Sequence, residues 1–212
     1  MYFDLHTHSV FSDGELIPSE MARRMAEKGV SGFAITDHVD FTNVSWVMER
    51  LRELQNWRDE YEVKILLGVE ITHVPPELID RAVEIAWKEG AEIVVVHGET
   101  LVEPVKAGTN SAAVESEVNV LAHPGIVDCE LADKAKSSGV YLEISTRKGH
   151  SLSNGCVAKY WEIAVVNTDT HSPEDIISPE FAEKVCLAAG ANSKVLDNNL
   201  KLFNRLWKKA RR

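Results

Sequence analysis

Ala91-Glu92-Ile93-Val94-Val95-Val96-His97 decides the fold, because an unbroken β-branched run closed by an imidazole is too short for a helix and too apolar for a half-solvated strand. Such a run suits a strand covered on both faces, the environment of a parallel sheet. Counting this one, seven runs of the kind recur at roughly residues 2 to 6, 32 to 37, 63 to 70, 91 to 97, 118 to 123, 140 to 145 and 162 to 168. Helical stripes fill the gaps. Val44, Val47, Met48, Leu51 and Leu54 share one face, as do Leu78, Ile79, Val83, Ala86 and Trp87 behind Pro75-Pro76. Ser172-Pro173 and Ser178-Pro179 each pair a capping hydroxyl with a proline at the first helical position. Alternating strands and helices predict an α/β chain of repeated βα units. A short helix around residues 154 to 160 spans the crossover to the seventh strand. After Asn192-Ser193, a capping pair, Leu196, Leu200, Phe203 and Trp207 predict a last helix with one face on the barrel wall.

The 212 residues, 44% of them hydrophobic, predict a single domain spanning 1–212. Cys129, Cys156 and Cys186 are odd in number and far apart, which suits a reducing compartment. The opening Met1-Tyr2-Phe3-Asp4-Leu5-His6 lacks a basic segment followed by an apolar one, so the expected location is cytoplasmic. No apolar run approaches the roughly 18 to 20 residues that cross a bilayer. A net charge of −10 disfavours long nucleic acid as a partner, since phosphate backbones are held by clustered cations. The closing Lys208-Lys209-Ala210-Arg211-Arg212 reads as a helix end whose cations oppose the dipole. The sequence leaves the oligomeric state open.

Six of the eight histidines follow directly on strand-like runs: His6 and His8, His38, His97, His123 and His171. Glu70 and Asp169 stand at two such ends as well. In His6-Thr7-His8, period-two alternation sends both imidazoles to one side, and Asp169-Thr170-His171 repeats the spacing on the strand that would neighbour the first in a closed barrel. Packed cores rarely bury so many titratable groups without compensation, so nitrogen and oxygen donors gathered at one rim point to a multinuclear metal site.

These residues resemble the polymerase and histidinol phosphatase (PHP) family of metal-dependent phosphoesterases. The motifs are His6-Thr7-His8-Ser9 with Ser12-Asp13-Gly14, Thr36-Asp37-His38, Gly68-Val69-Glu70, Val96-His97-Gly98, Ala122-His123-Pro124 and Asn167-Thr168-Asp169-Thr170-His171-Ser172, in this order from end to end. The resemblance implies a distorted (β/α)7 TIM-like barrel with its metal site at the C-terminal rim of the strands. It implies three divalent ions drawn from zinc, manganese and iron. His6, His8, Glu70 and Asp169 would hold the first, Glu70, His97 and His123 the second, and Asp13, His38 and His171 the third. Three such ions would add +6 to the −10, leaving −4, with the positive charge concentrated in one pocket that attracts an anion.

The sixth strand supplies no ligand of this set, yet Arg147, Lys148, His150, Ser151, Ser153 and Asn154 follow it. Arg147, Lys148, His150 and Asn154 are therefore expected to bind substrate phosphate, with Arg147 suited to bidentate contact. Arg147 and His150 are also candidate catalytic groups. Asp37 is a candidate base or partner of a ligand, although capping of the next loop explains it as well. His73 and the loop residues Glu99, Thr100, Lys106 and Asn110 are weaker pocket candidates. The expected activity is hydrolysis of a small phosphomonoester, histidinol phosphate or a nucleotide-like compound, by metal-activated water. Phosphodiester cleavage, as in the exonuclease branch of the family, is the alternative. A metal-binding accessory protein without catalysis stands further behind, because structural sites tend to be closed and cysteine-rich.

Overall fold

The computed structural model describes residues 1–211, and Arg212, the end of the basic run, lies outside the described residues. In chain order the elements are β1 (Phe3–Thr7), α1 (Pro18–Glu27), β2 (Gly32–Val39), α2 (Val44–Leu54), β3 (Lys64–Ile71), α3 (Ile79–Lys88), β4 (Ile93–His97), α4 (Thr109–Glu115), β5 (Val120–Ala122), α5 (Cys129–Ser138), β6 (Tyr141–Ser145), α6 (Asn154–Ala158), β7 (Ala164–Asn167), α7 (Pro179–Ala188) and α8 (Val195–Ala210). All seven strands are parallel and paired in sequence order, as the alternation of runs predicts. The result is a nearly closed (β/α)7 barrel.

The seam between β1 and β7 is where closure is least regular. One parallel bridge, Thr7 with Thr170, and two backbone bonds, Asp169 N–H to His6 O (3.0 Å) and His8 N–H to Thr170 O (2.8 Å), join the rim. Lower down, side chains replace the ladder. Leu5 N–H donates to Asn167 Oδ1 (3.0 Å), while Asn199 of α8 donates to Phe3 O (2.9 Å) and Val166 O (2.8 Å) and accepts from Val166 N–H (3.0 Å). These amides satisfy backbone groups that a fully formed strand pair would otherwise serve.

Inside the barrel, Phe3, Leu5, Ala34, Leu66, Ile93, Val95, Val120 and Val165 form an apolar layer, while Tyr2, Phe33, Ile35, Leu67, Val94 and Val96 face the helices. A one-residue irregularity in the β1–β2 register between Asp4 and Thr7 lets Leu5 fill the interior layer with His6 directly above it. The last helix departs from expectation. Leu202, Phe203 and Leu206 pack into the interior layer, Phe203 against Phe3 with ring centroids 4.4 Å apart, so α8 plugs the N-terminal end of the barrel. Its cap differs as well: Lys194 precedes the helix without a side-chain cap, and Asn192 accepts from Lys194 N–H (2.9 Å). The proline-led starts hold, with a capping box at Ser172 and Asp175 and a Ser178 cap on α7. Among the described residues, no helix is long and apolar enough to cross a membrane.

Candidate metal centre

Each strand end delivers a different donor to one mouth. His6 ends up inside the barrel from β1 with His8 just beyond, His38 comes from β2, Glu70 from β3, His97 closes β4, His123 follows β5, and Asp169 and His171 follow β7. Asp13 arrives on the loop after β1. That loop folds back so tightly that a Cβ on Gly14 would sit 2.2 Å from His8 O, which only glycine avoids.

The donors fall into overlapping groups able to hold cations. His6, His8 and Glu70 form one, joined by His6, His123 and Asp169; Glu70, His97 and His123 form another; His8, Asp13, His38 and His171 form a third. His6 Nε2 lies 3.3 Å from Glu70 Oε1 and 3.6 Å from Asp169 Oδ1, His8 Nε2 lies 3.1 Å from Asp169 Oδ1, and His123 Nε2 lies 3.6 Å from Glu70 Oε1. His171 Nε2 and His38 Nε2 face Asp13 Oδ1 at 3.2 and 3.6 Å. All nine residues that the sequence singles out as donors thus meet at one rim, and His8 borders two groups.

Burial makes this arrangement expensive without positive charge. Glu70 Oε1 and Asp169 Oδ1 are buried with no hydrogen-bond partner, while Glu70 Oε2 lies 2.7 Å from His38 Nδ1; cations remedy the first condition and a packed core does not. Burial holds the Asp169 carboxyl well above its usual range. Burial also opposes ionisation of Glu70, but the His6 and His38 rings outweigh it and hold that carboxyl well below the usual range. For His6, burial is outweighed by Glu143, Glu70 and Asp169, which raise it well above an ordinary histidine, whereas burial and the neighbouring rings push His8 and His123 well below. His123 (φ 26°) and Asp169 (φ 55°) adopt left-handed backbone, which costs side-chain-bearing residues energy and collects at functional positions.

Outer partners aim the rings. His6 Nδ1 meets Glu143 Oε2 at 2.8 Å, and Asn167 donates to the same oxygen (2.9 Å). His38 Nδ1 meets Thr72 Oγ1 (2.7 Å), His97 Nδ1 faces Gly98 O (3.2 Å), and His171 Nδ1 faces Asp169 O (2.8 Å). Each leaves Nε2 free to ligate.

The residues expected to bind substrate divide. Arg147 and His150 line the mouth, a cavity of about 260 Å³. Arg147 donates to Asp169 O (3.1 Å) and touches the His171 ring. Lys148 is exposed and does not line that cavity. Asn154 is committed elsewhere: its amide accepts from Ser145 N–H (3.0 Å) and donates to Ser145 O (2.8 Å), tying α6 to β6. Asp37 accepts from Ser9 N–H, Ser9 Oγ and Ser12 Oγ, each at 2.7 Å, so its carboxylate holds the loop that carries Asp13. In the long loop after β4, Glu99 accepts from Gly108 and Asn110 N–H, Lys106 pairs with Glu77, and Asn110 donates to Pro124 O. None of these, nor Thr100, lines the cavity. Glu103 does, a residue the sequence reading passed over. Its carboxylate lies 2.9 Å from His97 Nε2 and 3.2 Å from His150 Nε2, and the adjacent His97 ring holds its pKa at about 2. Only its place after a ligand-bearing strand signals it.

The PHP domain family profile matches residues 4–97. An uncharacterized protein of Methanocaldococcus jannaschii is 46% identical over 209 residues, covering 94% of this chain and 95% of its own length. The DNA polymerase/3'-5' exonuclease PolX of Bacillus subtilis is 28% identical over 196 residues, which cover 81% of this chain and 34% of that larger protein. A solved Xaa-Pro dipeptidase, with methionine bound in its active site, superposes with a TM-score of 0.60 at 14% identity over 96% of this chain and 75% of its own, a likeness of fold alone.

Proposed function

Since this chain belongs to the PHP domain family and is a metal-dependent hydrolase of phosphoester bonds, we propose that its substrate is a small phosphomonoester, histidinol phosphate or a nucleotide-like compound. The observation that carries the reading is the mouth itself: three overlapping donor groups, with Arg147 beside Asp169 and His171, in a cavity of about 260 Å³. Ligand pockets usually run from about 300 Å³ upward, so this one suits a phosphoryl group with a compact alcohol better than a polymer. The −10 charge supports the same choice. The three unpaired cysteines fit a reducing, cytoplasmic setting.

In this reading the first cation would rest on His6, His8, Glu70 and Asp169, the second on Glu70, His97 and His123, and the third on Asp13, His38 and His171, the ions being zinc, manganese or iron. Bound there, divalent cations supply an acidified water for attack on phosphorus and charge to offset that gathering on the phosphoryl oxygens. Glu70 belongs to two of the groups, with Oε1 3.3 Å from His6 Nε2 and 3.6 Å from His123 Nε2. Arg147 reaches the non-bridging oxygens in a planar, bidentate manner. Burial holds the His150 pKa down, so its neutral ring is a hydrogen-bond partner for the departing alcohol and not a standing acid.

A second reading, phosphodiester cleavage, is favoured by the 28% identity to PolX over most of this chain. Reconstitution with Mn²⁺ or Zn²⁺ and parallel turnover of p-nitrophenyl phosphate, histidinol phosphate, nucleoside monophosphates, bis-p-nitrophenyl phosphate and single-stranded oligonucleotides separates the two. Monoester turnover lost on chelation and in His97→Ala is expected. Preferred cleavage of the diester or the oligonucleotides would overturn the monoester assignment.

A further inference from the structure

We propose that His73, His97 and Glu103 form an outer seat for a divalent cation at the mouth of the pocket, one that shares His97 with the inner trio Glu70, His97 and His123 and passes the ion inward. The seat rests on the reading of that inner trio as a cation site. Its own donors are separate from the nine residues assigned above, apart from His97.

Geometry is the first argument. Donor atoms sharing one tetrahedral ion at bond lengths of about 2.0–2.1 Å lie about 3.4 Å apart. Glu103 Oε2 stands 2.9 Å from His97 Nε2 and 3.7 Å from His73 Nε2, and the three donor atoms fall within 4.8 Å of one another. These two spacings, 2.9 and 3.7 Å, bracket those of the inner groups, 3.1 to 3.6 Å.

Exposure is the second. The side chains of Glu70, His123 and His97 are 0, 1 and 3% exposed, while those of Glu103 and His73 are 37 and 46% exposed. A hydrated ion that reaches the sealed inner position must shed water on the way, and the outer donors stand between it and solvent. Glu103 is also held from the far side, with Oε1 3.2 Å from His150 Nε2 and Val102 next to Gly149, so the loop after β4 crosses to the loop after β6.

His97 limits how the seats are used. With Nδ1 toward Gly98 O, the ring offers a single lone pair, at Nε2, and one lone pair serves one cation. The seats therefore compete for His97, and rotation of that ring moves the ion from one to the other. His73 (φ 54°) shares left-handed backbone with His123 and Asp169, and these three are the only non-glycine residues so placed among the described residues.

A passing station speeds exchange in both directions and cannot move the equilibrium. Protein stripped of metal, with His73→Ala and Glu103→Gln beside it, is mixed with Co²⁺ in a stopped-flow spectrophotometer, then released into excess chelator, and affinity is measured by equilibrium dialysis. Uptake and release are each expected to slow by about tenfold or more in both variants, with affinity and the number of ions unchanged. Equal rates in wild type and both variants would overturn the seat. So would a fall in affinity with uptake unaltered in His73→Ala, a charge-neutral change, because that makes the outer residues ordinary ligands. Wild-type protein that takes up no Co²⁺ would overturn the inner trio itself, an outcome distinct from loss of the rate effect.

Discussion

Glu143→Gln tests two properties of the metal centre, its affinity and its stability. Glu143 sits inside the barrel on β6, fully buried, where Oε2 meets His6 Nδ1 at 2.8 Å and Oε1 has no partner. The carboxylate fixes the His6 tautomer and makes Nε2 a stronger donor toward Glu70 and Asp169. Glutamine keeps an oxygen for the ring and removes the charge. Loss of such an outer partner lowers metal affinity by about 10- to 100-fold, or about 1.4–2.7 kcal/mol. Without metal the sign is the same: Glu143 is the foremost of the charges that raise the His6 ring, and its neutralisation removes that pairing in a dry interior. Competition titration with a chromophoric chelator reads the first effect, and thermal denaturation of stripped protein reads the second. The variant should bind Mn²⁺ more weakly, and its metal-free form should melt lower. Affinity within twofold of wild type would refute the role given to Glu143.

Three further changes probe the frame around the centre. Burial pushes the Asp4 carboxyl up to about 7 despite hydrogen bonds from Thr168, so the native protein keeps a proton that the unfolded chain loses near pH 4; stability therefore falls as pH rises from about 4 to 7 and levels off above, by on the order of 4 kcal/mol. Asp4→Asn should flatten that fall in calorimetry of metal-free protein, and an unchanged slope would refute it. Asn199→Ala strands the Val166 N–H at the seam and should cost about 1–3 kcal/mol by urea denaturation; a loss under about 0.5 kcal/mol, the scatter of neutral surface changes, would show that the barrel closes without it. Burial also pushes the Cys186 thiol up to about 12, so a disulfide reagent at pH 8 should modify exposed Cys129 at once and Cys186 only after unfolding; prompt reaction of Cys186 would contradict its burial.

The strand ends are legible because the signal is local: a β-branched run fixes a buried strand, and whatever follows it must stand at the rim. His97 after Ile93–Val96 and His123 after Val120–Ala122 follow that rule without reference to distant residues. Loops break it. Lys148 and Asn154 look like phosphate ligands by proximity to Arg147, but the chain turns between them, which exposes one and commits the other to Ser145. Glu103 meets His97 in a loop whose Val102 rests beside Gly149, an arrangement that no periodicity encodes. Helix α8 shows a different limit, since an amphipathic stripe says that one face is buried and not whether a barrel's wall or its end buries it.

The barrel interior changes character along its own axis, and that change makes the centre possible. Toward the N-terminal end, Phe3, Leu5, Leu66, Ile93, Val95 and Val120 close around Phe203 of α8 with no polar group among them. One layer higher the same strands present His6, Glu70, His97 and Glu143, the two carboxylates with unpartnered buried atoms, beside backbone forced into left-handed geometry at His123 and Asp169. Strain of about 1–3 kcal/mol at each such residue persists only where surrounding structure over-determines it. Here the apolar layer does so, because it holds seven strands in fixed register independently of what stands at their ends. The upper layer is thereby free to assemble carboxylates and imidazoles that repel one another or lack partners until cations arrive, with the donors in place beforehand. Preorganisation of that kind is what metal-assisted hydrolysis demands of a protein.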